Sequence, residues 1–334
     1  MVKILLDCLG GDHSPEANIE GAARALKEVD DLFLYLVGDE SVLKTLTEKY
    51  GIDNSRIEFI NAPLEVSHDI SPTNALRQDT ESSLVKTFNM LRSDDTISAM
   101  VTLGNSGVTL VGSVLKIGRL KNVIRPAFCP ILPTMNRGIV GICDSGANVE
   151  AKPQMLEQFA VMGSLYLKNT YSVENPRVAL LNVGVEETKG DELHQEAYKL
   201  LKNNPNINFV GNMESRDLLS GKFDLVVCDG YGGNVLIKST EGACLEMLKM
   251  LKRDFTSSFK NKIGALLMKK TIMKEVEFMN YNNYGGSILL GCKKIIVKGH
   301  GSSKSTAVYK CILQAYNSQI GSLQDDIEKA FELN

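Results

Sequence analysis

Residues 223–241 read Phe-Asp-Leu-Val-Val-Cys-Asp-Gly-Tyr-Gly-Gly-Asn-Val-Leu-Ile-Lys-Ser-Thr-Glu, and they constrain the fold more than any other stretch. Leu225, Val226, Val227 and Cys228 make a short apolar run of the kind a strand buried on both faces shows. The run stops at Asp229-Gly230, and Gly232-Gly233-Asn234 follows before Val235, Leu236 and Ile237 open a helix. Glycines at such a junction let the backbone pass close to a ligand, and the helix start presents unpaired N–H groups to it. An anion or a developing oxyanion suits those donors. The alternative is a tight strand-to-helix turn that binds nothing.

The pattern recurs along the chain. Apolar runs end in Gly-containing polar loops at 4–7 before Gly10-Gly11-Asp12, at 100–103 before Gly104-Asn105-Ser106-Gly107, and at 139–144 before Ser145-Gly146-Ala147-Asn148. Two more run from 178–183 into 184–190, and from 295–297 into Gly299-His300-Gly301-Ser302-Ser303. In open parallel sheets ligands bind beyond the carboxyl ends of the strands. Six loops of one chemistry therefore point to one composite site. Strands alternating with helices predict an α/β fold with a largely parallel, doubly wound sheet.

Taken in order, the periodicity predicts strands at 2–6, 32–37, 57–60, 98–103, 177–183, 208–210 and 294–298. Ser14 is expected to cap a helix opening at Pro15, and Pro153 to open one that buries Met155, Phe159, Met162 and Leu165. Further helices are expected at 41–50, 82–91, 191–202, 304–317 and 323–332, with 63–80 irregular around Pro63, His68 and Pro72. Pro126, Pro130 and Pro133 make 127–134 an edge strand or irregular. A single domain is expected over 1–334, broken only by a helical excursion at 245–283.

Composition removes several functional classes. Lys and Arg total 37 against 40 acidic residues, so no global basic field favours nucleic acid, and aromatics are only 6% with no Trp to stack bases. The seven cysteines form no CxxC pair and lie mostly in apolar runs, which suits core residues of a reducing compartment. With no apolar run near the ~18 residues of a membrane span, a cytosolic protein is expected.

Gly230-Tyr231-Gly232-Gly233-Asn234-Val235 begins like a dinucleotide fingerprint, but Val holds its sixth position and no acidic residue follows at the expected place. No GxxxxGK[ST] occurs either. His13 with Asp7 and Asp12 lacks metal-ligand spacing, so a loop histidine bonded to backbone is the better reading, and no metal or cofactor is expected. Lys189 is the one lysine inside a strand-end loop and suits a phosphate, with a solvated lysine as the alternative. Glu186 and Glu187 precede it, positioned either to orient it or to be solvated.

Together these motifs resemble the PlsX family, the acyl-[acyl carrier protein]:phosphate acyltransferases. Asp7-Cys8-Leu9-Gly10-Gly11-Asp12-His13-Ser14-Pro15 is similar to the family's DAMGGDHxP, Gly104-Asn105-Ser106-Gly107 to its GNTG, and Asp144-Ser145-Gly146-Ala147-Asn148 to its DxGAN. Asn182-Val183-Gly184 with Glu186-Glu187-Thr188-Lys189-Gly190 resembles NxGxExxKG, and Asp229–Val235 also matches. The matches run in order along nearly the whole chain. Two departures stand out: Arg77-Gln78-Asp79-Thr80-Glu81-Ser82-Ser83 replaces a lysine-rich loop, and Gly291-Cys292-Lys293-Lys294 replaces a Gly-x-x-Gly.

The resemblance implies a Rossmann-like three-layer α/β fold similar to the isopropylmalate dehydrogenases, a homodimer, and transfer of a long-chain acyl group from acyl carrier protein to inorganic phosphate for phospholipid synthesis. It implies Lys189 and Asn234 as the catalytic pair, with Asp7, Gly10, Gly11, His13, Asn105, Ser106, Asn148, Gly232 and Gly233 lining the site. Direct attack by phosphate is expected, without an acyl-enzyme. The rival readings are a short-chain phosphate acyltransferase and a catalytically degenerate membrane-surface scaffold. Within 255–274, Phe259, Ile263, Leu266 and Leu267 share one helical face flanked by lysines, so a peripheral membrane contact is expected, with core or dimer interface as the alternative.

Overall fold

A computed structural model describes residues 1–66 and 71–332 of the chain, so His68 lies outside the described residues. The first half alternates strand and helix: β1 (Val2–Asp7), α1 (Glu16–Glu28), β2 (Leu32–Gly38), α2 (Glu40–Tyr50) and β3 (Ile57–Asn61). Then come α3 (Pro72–Gln78), α4 (Ser83–Ser93), β4 (Ile97–Thr102) and α5 (Ser106–Gly112), which widens into one π turn at Ser113–Ile117. Ser14 does not cap α1. Its hydroxyl accepts from the Gly11 amide and donates to Asn18, which ties down the loop, and the helix starts one residue beyond Pro15. The expected irregularity of 63–80 gives way to α3 at Pro72, where a proline fits the first helical turn.

Two three-residue strands follow, β5 (Ala127–Cys129) and β6 (Ile131–Pro133), then β7 (Ile139–Cys143), α6 (Pro153–Tyr171), β8 (Arg177–Leu181), α7 (Glu192–Asn203), β9 (Asn208–Met213) and β10 (Leu225–Val227). Beyond them lie α8 (Gly230–Phe255), α9 (Phe259–Phe278), β11 (Ser287–Leu290), β12 (Ile295–Lys298), α10 (Ser305–Ile320) and α11 (Leu323–Glu332). The strand β11, which begins two residues after Gly285, was not legible from periodicity.

The strands form two sheets rather than one. The larger runs β3-β2-β1-β4-β12-β11-β5 and the smaller β6-β7-β10-β8-β9. Both are mostly parallel; the antiparallel pairings are β12–β11, β11–β5 and β6–β7. Pro130 explains the division. It lacks an amide for a ladder, so β5 ends one sheet and β6 edges the other, as edge strands broken by proline should.

Each sheet is covered on both faces, which is why its strands carry unbroken apolar runs. In β1, Ile4 and Leu6 join a core with α1 and α10 residues, whereas Leu5 faces Leu84 and Phe88 of α4. In β10, Leu225 and Val227 share the core of α6, and Val226 packs with Leu236 and Ile237 of α8. Six of the seven cysteines are buried and Cys244 is half-buried, as expected of small core residues. In α6 Met155, Phe159 and Met162 are buried, and Leu165 is only half-buried.

Candidate active site

A cavity of about 360 Å³ lies between the two sheets, at the carboxyl ends of their strands. Four of the six motif loops reach it: Ser106 after β4, Ser145 and Gly146 after β7, Asn234 after β10, and His300 after β12. Phe128, Pro130, Ile131 and Leu132, at the crossing from β5 to β6, form an apolar wall with Ile237 of α8. The lining thus combines polar loops with an apolar wall, the combination that holds a reacting polar group on an apolar tail.

The loop after β7 is built around one carboxylate. Asp144 is fully buried, and its Oδ1 accepts from the amides of Phe128 at 2.9 Å, Ser145 at 2.7 Å, Gly146 at 3.2 Å and Ala147 at 3.1 Å. Oδ2 accepts from the Asn148 amide at 2.6 Å and its Nδ2 at 2.9 Å. Burial outweighs these bonds and raises the carboxyl's pKa above the ordinary aspartate value. The start of α8 presses on this loop. A Cβ at Gly233 would fall 1.9 Å from the Asp144 carbonyl oxygen, so only glycine allows the approach. The Asp229 side chain caps α8 by accepting from the Gly232 amide at 2.5 Å.

This packing brings Asn234 into the cavity, with its Nδ2 3.9 Å from a Cβ placed at Gly146. Its carboxamide makes no hydrogen bond to the protein among the described residues. Gly232 and Gly233 serve the turn, and Asn148 is spent on structure, its Nδ2 bonded to the Pro126 carbonyl at 2.8 Å and to Asp144.

The first motif lies beside the cavity. Asp7, Gly10 and Asn105 line a small cleft of about 20 Å³ with Glu65 and Ser83. Asp7 is buried, accepting from the Ser83 and Thr102 hydroxyls, both at 2.7 Å, and from the Leu9 amide at 3.2 Å. Burial, against those bonds, pushes its pKa up to about 6. Gly10 takes a φ of +83° and a Cβ there would lie 2.7 Å from Gly104, which lets the two loops touch. The loop joins the cavity's edge through the Asp12 amide, 2.9 Å from the Gly301 carbonyl; His13 is exposed.

Lys189 does not line the cavity. It is exposed on the loop after β8, the strand that pairs with β10, and its stem lies along Gly184. Glu187 does not orient it: that carboxylate is held by Lys202 at 2.6 Å and Tyr198 at 3.2 Å. The lysine that does line the cavity is Lys298, the last residue of β12, buried and donating from Nζ to the carbonyls of Leu103, at 3.2 Å, and Gly299. Its sequence signal was a charged residue closing the apolar run Ile295-Ile296-Val297. A search confined to loops passes over it.

The fold and site define a mostly parallel α/β protein with a half-polar cavity at its strand ends. The chain belongs to the PlsX family: a family model described as "Fatty acid synthesis protein" matches residues 2–322. A relative from Clostridium perfringens (strain SM101 / Type A), named "Phosphate acyltransferase", is 41% identical over 98% of this chain and 97% of its own length. One of the same name from Clostridioides difficile (strain 630) is 37% identical over 98% and 96%. Among solved structures, a phosphotransacetylase from Streptococcus pyogenes aligns with a TM-score of 0.63 at 16% identity, covering 96% of this chain and 94% of its own. The EutD phosphotransacetylase from Staphylococcus aureus aligns at 0.57 and 17%, covering 95% and 94%. Those two likenesses concern the fold.

Proposed function

We propose that the protein is a phosphate acyltransferase that moves a long-chain acyl group from the thioester of acyl carrier protein to inorganic phosphate, for phospholipid synthesis. The observation that carries this reading is the half-polar cavity, in which the unengaged amide of Asn234 faces the same space as an apolar wall. The family membership and the names of the relatives support it. A phosphate oxygen attacks the thioester carbon, the C–S bond breaks, and the carrier thiolate takes a proton from solvent. Phosphate is already anionic near neutral pH and needs positioning more than a strong base. In this reading Asn234 donates to the thioester oxygen as charge develops, and Lys189, from the rim beside β10, holds phosphate. Asp7, Gly10, Gly11, His13, Asn105, Ser106, Asn148, Gly232 and Gly233 shape the surrounding loops.

The test mixes purified protein with acyl-carrier thioesters of graded chain length and phosphate, and follows acyl phosphate. Long chains should turn over fastest. A preference for acetyl or butyryl thioesters would favour the short-chain reading, and no product with any of them the scaffold reading. Transfer is direct: Cys8 and Cys228, the thiols next to motif loops, are buried, and burial raises both thiol pKa values well above the ordinary range. Mass spectrometry of enzyme incubated with acyl thioester but no phosphate should show unmodified protein. A stoichiometric adduct that phosphate then discharges would overturn direct attack.

The same reading includes a peripheral contact with a membrane surface. No helix among the described residues is long and apolar enough to cross a membrane. The hairpin of α8 and α9 instead exposes its apolar side chains: Phe259 is 79% exposed, Leu266 69% and Leu267 82%, and α9 buries none of its residues. Within one chain the face is therefore not core. From Thr256 to Lys274 the sequence holds five lysines and no acidic residue, which suits anionic headgroups. Over the full length of α9 apolar and basic residues interleave, so the stripe is confined to its first half. Ile263→Glu with Leu267→Glu should abolish salt-sensitive sedimentation with anionic liposomes and leave the dimer and soluble-assay turnover intact. A split dimer would reassign this face to the subunit interface.

A further inference from the structure

Lys298 stands out as a buried cation that the family motifs do not account for. Its ammonium has two carbonyl partners, Leu103 and Gly299, and makes no ion pair among the described residues, although the buried Asp7 carboxylate acts on it through space. A buried charge without a contacting counter-charge is costly, and a third N–H remains to be satisfied. The other charges on the cavity offset each other. Lys238 and Glu241 of α8 pair at 3.5 Å, and burial, followed by the Lys238 charge, lowers the His300 pKa below the ordinary imidazole value, so His300 is mostly neutral at pH 7. The cavity therefore keeps on its lining one buried ammonium that no carboxylate contacts, with Asp7 near enough to act on it only through space.

We propose that Lys298 is a second phosphate-binding cation, which holds the attacking inorganic phosphate from inside the cavity while Lys189 reaches it from the rim and Asn234 serves the thioester from α8. The assignment rests on the acyl-transfer reading for the phosphate's role, but not for its binding. Strand β12 fixes the backbone at Lys298, which pairs with Thr102 of β4 on one side and with Ser287 of β11 on the other, and the two carbonyl bonds hold the side chain. An anion in the cavity supplies a contacting counter-charge and an acceptor for the free N–H, and charge-assisted bonds of this kind are the strong ones. Rigid placement also lowers the entropy lost on binding.

The pH dependence carries a second signature. Burial pushes the Lys298 pKa down to about 8, against small opposing effects from Cys311 and Asp7. Phosphate affinity should therefore fall as pH rises from 7.5 to 9.5, although phosphate itself is then fully dianionic. Of the groups facing Lys298, Asp7 on β1 titrates at about 6 and Cys311 on α10 at about 12, and His300 below the usual imidazole range. The Lys238–Glu241 pair on α8 offsets itself.

The experiment titrates inorganic phosphate into wild type and Lys298→Met by calorimetry, and measures KM separately for phosphate and for acyl-carrier thioester. Methionine keeps the length without the charge, and removing a buried charge that no carboxylate contacts should leave the melting temperature unchanged or higher. The phosphate Kd and KM should rise about 10- to 100-fold, with the thioester KM within about twofold. A raised thioester KM with an unchanged phosphate KM would place Lys298 at the carrier's own phosphodiester or at the carbonyl and overturn the proposal. If Lys298→Met does not fold, wild type decides: phosphate should raise its melting temperature at pH 7.5 and not at pH 9.5, and an equal rise at both overturns it. Wild type that binds phosphate through Lys298 but makes no acyl phosphate would sink the acyl-transfer reading alone.

Discussion

Asn234→Ala is expected to lower turnover by about 10²-fold or more, the scale of losing one oxyanion donor, and Lys189→Ala to do the same. The Asn234 side chain reaches into the cavity from the first turns of α8 and holds no bond to the protein that its loss would break. Lys189 is exposed and likewise makes no ion pair or side-chain hydrogen bond among the described residues. Neither change should move the unfolding midpoint, so lost activity would report chemistry rather than folding. Steady-state kinetics with acyl-carrier thioester and phosphate check both. The two variants should also differ in kind. Loss of Asn234 should fall on kcat, because its bond strengthens only as the oxyanion forms, whereas loss of Lys189 should also raise the phosphate KM. Near-normal turnover by either variant removes that residue from the catalytic pair, and for Lys189, which lies outside the cavity wall, that outcome would leave Lys298 as the cation that matters.

Asp144→Ala should destabilise the protein by about 3 kcal/mol or more, because it strands several buried donors at once. Five backbone amides and the Asn148 carboxamide converge on this one carboxylate. Gly230 and Gly233 of α8 close over it, leaving no room for a larger rearrangement: a Cβ at Gly230 would lie 2.8 Å from Asp144 Oδ2. Asp144→Asn should be nearly as damaging, since its amide group turns donors toward donors. Urea unfolding checks this: the midpoint should fall with little change in slope. An unchanged midpoint would mean that the loop is held from α8 and not from its own carboxylate. Because Asn234 rests on this loop, kcat should fall in any Asp144 variant that still folds.

How much of this was legible beforehand follows from the range of the forces involved. The strand-end motif at Leu225–Val227 and its relatives could be read from sequence because a strand buried on both faces needs an apolar run, and a loop that meets a helix start needs small residues. Pro130 marked an edge by removing an amide, and the edge proved to be two edges, one for each sheet. The expected cap on α1 does not form because the Ser14 hydroxyl is engaged by Gly11 and Asn18 instead of the helix amides. The strand β11 was missed because four residues, Ser287-Ile288-Leu289-Leu290, are too few to establish a period.

The sequence by itself determined the mostly parallel α/β class, the Gly-rich loops at its strand ends and membership of the PlsX family, since each rests on local residue order. Only the tertiary structure decided that the strands divide between two sheets, that four loops and not six line the cavity, and that Lys189 stays outside it while Lys298 lies within. It also decided that the apolar face of α9 is left uncovered in the chain. Periodicity says which side chains share a face, but what that face meets, and whether a charge at a strand's end is solvated or buried, depends on contacts between residues far apart in the chain.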